Sequence, residues 1–499
     1  MKKVIDIKKL ANIISKSKKK TVLCHGVFDI LHTGHLDHFY QAKKLADILI
    51  VSVTDDEFVK KGINRPINKI YDRIKMLSAF SIIDYVIINK DISAINTLKV
   101  LKPNFYCKGP DYKNLNEDIT KNILIEKKTV EKYGGKINFT DAPIKSSSKI
   151  INNHLPIYSA QQRIFLDSLK KEIPKANIIK IFEDFKNLKI LVIGEIILDE
   201  YIFCEALGKS GKESVLTFRN LKKEEKYLGG SLAIANHLSG FVSKIDVVSY
   251  SSHSNNFFKN KIKKNIKLRL FKKNNTNTIL KTRFIDHVDN RKFMGVYDLN
   301  DSILNKKEEQ ILASKIKDIE KFDIVIVCDY GHGLITEKIA KFINKNSKFL
   351  CVNAQVNSSN INHHSIRKYE KMDVVIFNGL ELRHEMRDRY TEITALAKKM
   401  KQNIKSKNII VTEGKNGAFI INNRNQISNC PAFATKVIDK IGSGDTMFSI
   451  LSIFLHNKNN EALSLFASSL AAAQSVETIG NSLKLDTLGL SKSIQYMIK

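Results

Sequence analysis

From Thr21 to about Thr140, short apolar runs alternate with amphipathic stretches. The runs "TVLCHGVFD", "DILIVSVT", "YVIIN", "NFYCKG" and "KINFT" predict strands, with "HLDHFYQAKKLA" and "YDRIKMLSAF" as helices between them. The strand runs are apolar without strict alternation, the pattern of strands covered on both faces, so a parallel α/β sheet is expected. Another helix is expected near Ser147. Residues from roughly 155 to 187, with "QQRIFLDSLKKEI" and "IIKIFEDFKNL", read as helical and carry no recognisable chemistry, so they suit a connector or a dimerisation element. A second α/β series runs through "KILVIGEIILDEYIF", "DIVIVCDYG", "KFLCVNAQ", "DVVIFNG" and "NIIVTEGKNGAFI" and closes in helices after Gly444. Within it, "NTILKTRFIDH" and "RKFMGVYDLN" predict strands of an extra small sheet. No internal repeat relates the two series.

At 499 residues the chain exceeds what one hydrophobic core organises, which fits two domains. Hydrophobic residues make up 43% and charged residues 27%, with no long apolar run, as in a soluble globular protein. Charges interrupt the opening "MKKVIDIKKLANIISKSKKK" too often for a signal peptide, so a cytoplasmic location with no membrane partner is expected. The six cysteines are scattered, without a C-x-x-C pair, and fit buried reduced thiols better than disulfides or a zinc site. A net charge of +31 raises the question of nucleic acid. The lysines are spread along the whole chain, however, and no aromatic platforms interleave with arginine. The charge therefore reads as a field for small anionic substrates, with no nucleic-acid partner.

The stretch "HGVFDILHTGHLDHF" (25–39) gathers four histidines. "HTGH" falls where a strand ends and a helix begins, and a helix N-terminus offers free N–H groups and a positive dipole end to phosphate. His32 and His35, three apart, can face one point, and Gly34 lets a phosphate approach the backbone. The pair suits attack by a substrate phosphate on the α-phosphate of a nucleoside triphosphate, a reaction catalysed by positioning and charge stabilisation. A metal site would need convergent ligands such as H-E-x-x-H, which is absent. His38 reads as a surface histidine with no role. For His25, lining a nucleotide pocket and simple packing stand as equal readings.

"GVFDILHTGH", followed by "DILIVSVTDDEF", "RPINKIYDRIKML", "KGPDY" and "IKSSSKII", resembles the cytidylyltransferase-like family over about residues 20 to 152. The resemblance implies a Rossmann-like nucleotidyltransferase in which His32 and His35 contact the triphosphate in the transition state. It also implies phosphate or nucleotide contacts from Phe28, Gly34, Lys60, Lys61, Arg73, Ser146, Ser147 and Ser148. Relatives usually carry Ser-Thr-Thr where this chain has three serines, which keeps the hydroxyls. "DAPIK" lacks the arginine of the glycerol-phosphate enzymes, so ATP is the expected donor and CTP the alternative.

The second centre is "DKIGSGDTMFS" (439–449). Gly442 and Gly444 flank Ser443 at an expected helix N-terminus, where backbone N–H groups can converge on an anion. Asp445 stands where a carboxylate could take the proton of a hydroxyl attacking the γ-phosphate of ATP. Its companions "LGGSLAIANHLSGF", "VCDYGHG", "FNGLELR" and "VTEGKNG" sit mostly at strand ends, where open α/β sheets place ligands. Together they resemble the ribokinase-like, or PfkB, carbohydrate kinases over about residues 187 to 499.

This second resemblance implies Asp445 as catalytic base and Gly442, Ser443 and Gly444 as an anion hole. Asp199, Gly229, Gly230 and Asn236 would frame the sugar. Asn378 and Glu381 would organise Mg²⁺ and phosphate, with no direct protein metal cluster, and Thr412, Gly414 and Gly417 would lie beside the nucleotide. Lys281 and Arg283 are candidates for a phosphate already on the substrate. "CVNAQVNSSN" and "GKSGKESVL" depart from the heptose kinases and leave the sugar open.

The expected layout is therefore α/β throughout: a nucleotidyltransferase domain over 1–154, a helical connector over 155–186, and a ribokinase-like domain with a small β lid over 187–499. The combination is similar to the bifunctional heptose kinase and adenylyltransferase family with the domain order reversed. It implies a bifunctional, homodimeric enzyme using Mg²⁺, nucleoside triphosphates and sugar phosphates. The alternatives are synthesis of a CDP-activated polyol or sugar, or one half serving as a degenerate regulatory module.

Overall fold

The structure, a computed structural model, describes residues 3–110, 122–141, 147, 151–152, 157–361 and 363–498. By packing, the chain divides into two units, Met1–Ile179 with Ser491–Lys499, and Lys180–Leu490. The helix Ala160–Glu172, expected as part of a connector, thus belongs with the first unit, and so does the last stretch of the chain.

In the first unit, β1 (Thr21–Gly26), β2 (Ile48–Thr54), β3 (Tyr85–Asn89), β4 (Phe105–Lys108) and β5 (Lys136–Phe139) form a five-stranded parallel sheet in the order β3-β2-β1-β4-β5. Val22 and Cys24 bury one face of β1 with Phe39 and Val51, while Leu23 on the other face packs with Ile50, Leu98 and Tyr106. That double burial is why the strand runs are uniformly apolar. The chain leaves β1 in one direction to β2 and later returns on its other side to β4, so a crevice opens beyond the carboxyl end of β1. The helix Thr33–Lys43, whose N-cap is His32, begins there.

Arg73, which the resemblance implied as a phosphate contact, is engaged with the protein itself. It is 0% exposed on the helix Ile70–Ala79. Its guanidinium donates to Val27 O at 2.7 Å, Thr54 O at 2.8 Å and Asn68 O at 2.9 Å, and to Asp56 Oδ1 at 2.6 Å. The rigid fork of donors is spent on tying the turn after β1 to the end of β2.

The second unit runs through β6 (Lys189–Gly194), β7 (Ile196–Lys209), β8 (Leu216–Gly230), β9 (Lys244–Tyr250), β10 (Ile266–Phe271), β11 (Ile279–Asp286) and β12 (Lys292–Asp298). It continues with β13 (Ile324–Asp329), β14 (Leu350–Ala354), β15 (Lys371–Asn378), β16 (Lys405–Thr412), β17 (Ala418–Ile421) and β18 (Ile427–Cys430). Nine strands form the main sheet in the order β10-β9-β6-β13-β14-β15-β16-β17-β18, parallel as far as β16 and antiparallel at the β17–β18 edge. A separate sheet, β12-β11-β7-β8, is the small lid, larger than the two strands expected for it. The run "KILVIGEIILDEYIF" divides at Glu195, its first part entering the main sheet and its second the lid.

All six cysteines are free and buried. Among the described residues no helix is long and apolar enough to cross a membrane.

Removing the Arg73 side chain would leave three carbonyls and a carboxylate without their buried partner. Arg73→Ala is expected to destabilise the first unit by about 3 kcal/mol, the cost typical of breaking a buried charged network. Amide hydrogen exchange in β1 and β2 measures this, and unchanged protection there would contradict the strut role.

Candidate active sites

In the first unit the chain leaves β1 through Phe28, which holds a left-handed φ of 53°. A side chain at φ > 0 is uncommon outside glycine and is kept only where the surroundings fix it. Here the Phe28 ring packs edge-on against His35 with centroids 5.3 Å apart, and a Cβ on Gly26 would approach Phe28 Cζ to 3.0 Å. His32 and His35 stack with centroids 3.9 Å apart, so the structure brings the two rings together at the helix start. His35 Nδ1 is buried and makes no hydrogen bond among the described residues. Burial, followed by the charges of His32 and Lys61, pushes the His35 imidazolium down to about 3. At neutral pH that ring is a neutral donor or acceptor rather than a standing cation.

His25 points Nδ1 at Ser52 Oγ, 3.1 Å away, and burial with the charge of Lys108 drives it down to about 3. His38, expected as a surface histidine without a role, is instead buried at 9% exposure, with Nδ1 2.8 Å from Thr140 Oγ1. Gly34 is buried in the first helical turn. Ser147 donates to Ile30 O at 2.9 Å and so ties its own segment to the turn before His32. Ser146 and Ser148 lie outside the described residues. Lys60 and Lys61 are half-buried after the short helix Asp56–Phe58.

Sequence reasoning missed Asp29. It is 1% exposed, accepts from Ile67 N at 3.1 Å and Asn68 N at 2.9 Å, and faces Arg65 at 3.5 Å. The Asp in "GVFD" was its only sequence signal.

In the second unit Asp445 occupies the first turn of the helix Ser443–His456, whose N-cap Gly442 has φ of 81°. A Cβ on Gly442 would strike Asn481, whereas one on Gly444 would meet nothing within 4 Å. The loop is therefore pinned behind and open in front. Asp445 Oδ1 accepts from Tyr330 OH at 2.9 Å. Burial raises the Asp445 carboxyl to about 7, against the Tyr330 hydrogen bond, which favours the charged form.

Asp199, at the start of the lid on β7, is 4% exposed and pairs with Arg283 of β11 at 2.5 Å. Gly229 and Gly230 close against this corner: a Cβ on the first would collide with the Asp199 carboxylate, and one on the second with Glu195 O. The Lys281 ammonium is lowered by burial and stands in the fields of Asp199 and Asp445. Arg283 thus turns toward Asp199, and Lys281 is half-buried in the same lid. Asn236 lies half-buried on the helix Ser231–Leu238 that follows these glycines.

Asn378 and Glu381 act first on each other. The Asn378 side chain accepts from Glu381 N at 2.8 Å and Glu381 Oε2 accepts from Asn378 N at 2.8 Å, a capping box on the helix Gly379–Met386. Glu381 is buried, which raises it to about 7. Thr412 ends β16, and Gly414 and Gly417 take φ of 56° and 95° in the turn to β17. Among the described residues no group of three or more His, Cys, Asp or Glu could hold a metal ion.

Two further carboxylates organise this site. Glu195, 0% exposed, accepts from Tyr330 N and His332 N, both at 3.1 Å. Asp439 accepts from Tyr201 OH at 2.7 Å and pairs with Lys292, so it ties the lid strands β7 and β12 to the glycine loop. Each was visible only as an acidic residue beside a motif.

The cytidylyltransferase-like family model matches residues 23–153. Among curated relatives, Bifunctional protein HldE of Campylobacter fetus is 35% identical over 156 residues, covering 30% of this chain and 31% of that protein. The protein of the same name from Helicobacter acinonychis is 40% identical over 112 residues, covering 22% of this chain and 24% of that protein. This chain therefore spans less than a third of the length of either relative. For the fold, a ribokinase from Thermotoga maritima superposes with a TM-score of 0.50 at 16% identity, covering 62% of this chain and 99% of that one. Escherichia coli phosphofructokinase-2 in complex with fructose-6-phosphate gives 0.50 at 13% identity, covering 62% and 100%. Because the family model of the pfkB family carbohydrate kinases matches residues 187–488, the chain belongs to that family and carries a cytidylyltransferase-like unit ahead of it.

Proposed function

We propose that the protein is a bifunctional enzyme of nucleotide-sugar synthesis. The second unit transfers the γ-phosphate of ATP to a sugar or sugar phosphate resembling heptose 7-phosphate. The first unit transfers a nucleotidyl group from a triphosphate, ATP in preference to CTP, to a sugar 1-phosphate. We read the arrangement as the reverse of the order in the bifunctional heptose enzymes. The observation that carries the proposal is that each unit sets reactive side chains at a helix N-terminus: stacked His32 and His35 in one, Asp445 beside open Gly444 in the other.

In the kinase reaction the Asp445 carboxylate takes the proton of the attacking hydroxyl as that oxygen bonds to the γ-phosphorus and the bond to the ADP oxygen breaks. The N–H group of Gly444, in the first turn of the helix, is placed to face the phosphoryl oxygens, beside Ser443 N, which reaches Lys440 O at 3.4 Å. Tyr330 is a positioning residue that holds Asp445. The Asp199–Arg283 pair offers a sugar phosphate both an acceptor for hydroxyls and a guanidinium for phosphate. In the transferase reaction a sugar 1-phosphate oxygen bonds to the α-phosphorus and pyrophosphate leaves, with His32, His35 and the Lys60–Lys61 pair meeting the displaced charge.

Mg²⁺ fits as an ion carried by the triphosphate, since hard divalent ions bind through phosphates and one or two carboxylates. Glu381, with one oxygen committed to Asn378, is the nearest candidate in the kinase.

The decisive experiment is mass spectrometry of products formed from Mg²⁺, each of the four nucleoside triphosphates and a panel of sugar phosphates. An ADP-sugar from a sugar 1-phosphate, with ADP released on a sugar or sugar 7-phosphate, is the expected result. A CDP product would move the reading to the cytidylyl alternative, and no turnover by either unit would refute it. His35→Ala should cut nucleotidyl transfer by 10² or more and leave phosphoryl transfer intact, and Asp445→Asn should do the converse by roughly 10²–10⁴.

The pH profile adds an independent check. A carboxyl raised to about 7 is protonated below that pH, so kcat/KM of the kinase should fall about tenfold per unit below pH 7. Tyr330→Phe removes a bond that favours the charged form and should move this limb upward. A wild-type limb near pH 4 would mean that burial does not raise Asp445 in the working enzyme.

A further inference from the structure

Residues Ser491–Lys499 pack with the first unit, and their contacts fall on the loop that carries Lys60 and Lys61. Gly62 has φ of +103°, and a Cβ there would lie 2.7 Å from Met497 Cγ and 3.8 Å from Ser493 O. The loop could not keep this approach with a side chain at position 62. One residue earlier, Lys61 Nζ stands 5.0 Å from the centroid of the Tyr496 ring, within cation–π range. Tyr496 O accepts from Asn152 Nδ2 at 2.8 Å, and Asn152 Oδ1 accepts from Arg65 Nη2 at 3.0 Å. Arg65 in turn faces Asp29 in the turn before His32. Ser493 and Met497 are 1% and 3% exposed, so this is a packed contact.

The chemistry at the far end of this chain of contacts is that of a phosphate site. Lys61 acts on both His25 and His35 by its charge, and Lys492, from the same final stretch, acts on His25. An ammonium on a flexible four-carbon stem gains most from a partner that fixes its direction without neutralising it. An aromatic face does that, whereas a carboxylate would cancel the charge intended for phosphate.

We propose that residues 491–498 are a working part of the nucleotidyltransferase site, in which Tyr496 and Met497 hold the Lys60–Gly62 loop and Tyr496 directs Lys61 toward the triphosphate. The assignment rests on the reading of the first unit as a nucleotidyltransferase. Tyr496 is then a positioning residue and Lys61 the group that meets the phosphates. Chemistry carried by the kinase family's own motifs does not require these residues, so their effect should be confined to the other reaction.

The test uses the full chain and the triphosphate that wild type consumes. Tyr496→Leu keeps apolar cover but loses the ring face, and should raise KM for that triphosphate roughly 5- to 30-fold with kcat changed less than about twofold. Tyr496→Phe should restore the wild-type KM, which a role for the hydroxyl would not give. Lys61→Met should raise KM at least as far, and adding Tyr496→Leu to it should cost little more, because the two act through one interaction. Phosphoryl transfer by the same variants should match wild type. If Tyr496→Leu keeps the wild-type KM, or if its effect adds fully to that of Lys61→Met, the positioning role is overturned while the transferase reading stands. If wild type neither turns over nor binds any of the four triphosphates by calorimetry, the transferase reading falls and this inference with it.

Discussion

An anion that must react inside a protein needs donors that are already fixed and desolvated when it arrives, because reorganising them during the reaction would cost the stabilisation they provide. Parallel sheets meet this need at the carboxyl ends of their strands, where the chain turns into a helix and leaves the first N–H groups free. Both units set a helix start beside candidate reactive side chains. The helix after β1 begins at Thr33 behind His32, and the late helix of the second unit begins at Ser443 behind Gly442. What differs is the side chain set at the opening, and with it the reaction each opening can serve.

Holding such openings in shape falls to buried carboxylates that do no chemistry. Asp29 binds two backbone N–H groups of the 65–68 loop, and Glu195 binds two of the 330–332 loop. A loop that cannot satisfy its own N–H groups needs such an acceptor, and burial makes a missing one expensive. Burial raises both Glu195 and Asp445 to about 7. What separates them is the partner set: Glu195 is committed to backbone donors, whereas Asp445 accepts from one side-chain hydroxyl at 2.9 Å.

The sheets were legible because parallel strands buried on both faces cannot hide their apolar runs, and "YVIIN" coincides with Tyr85–Asn89 to the residue. The lid hairpin was not. Most of β8 is solvent-exposed and rich in lysine and glutamate, so no burial imprinted a pattern on it. His32, His35 and Asp445 were expected at helix starts, and the structure has them there. The backbone partners of Arg73 were not legible, because an arginine in a motif looks the same in sequence whether it faces a phosphate or three carbonyls. Tyr496 carried no signal at all, since its contact with Lys61 joins positions more than four hundred residues apart.

The net charge of +31 does not by itself select a phosphate. Exposed lysines are screened within about 10 Å at ordinary ionic strength, and their attraction to any one anion is weak. Selection comes from cations withdrawn from water and aimed. Lys281 and Arg283 meet that description in the lid, where burial lowers the lysine and Asp199 holds the arginine. A cation so placed has already lost hydration, so an arriving phosphate repays a desolvation cost that the fold has met. The diffuse charge can gather anions near the surface, but only the desolvated pairs can distinguish a sugar phosphate from a sugar.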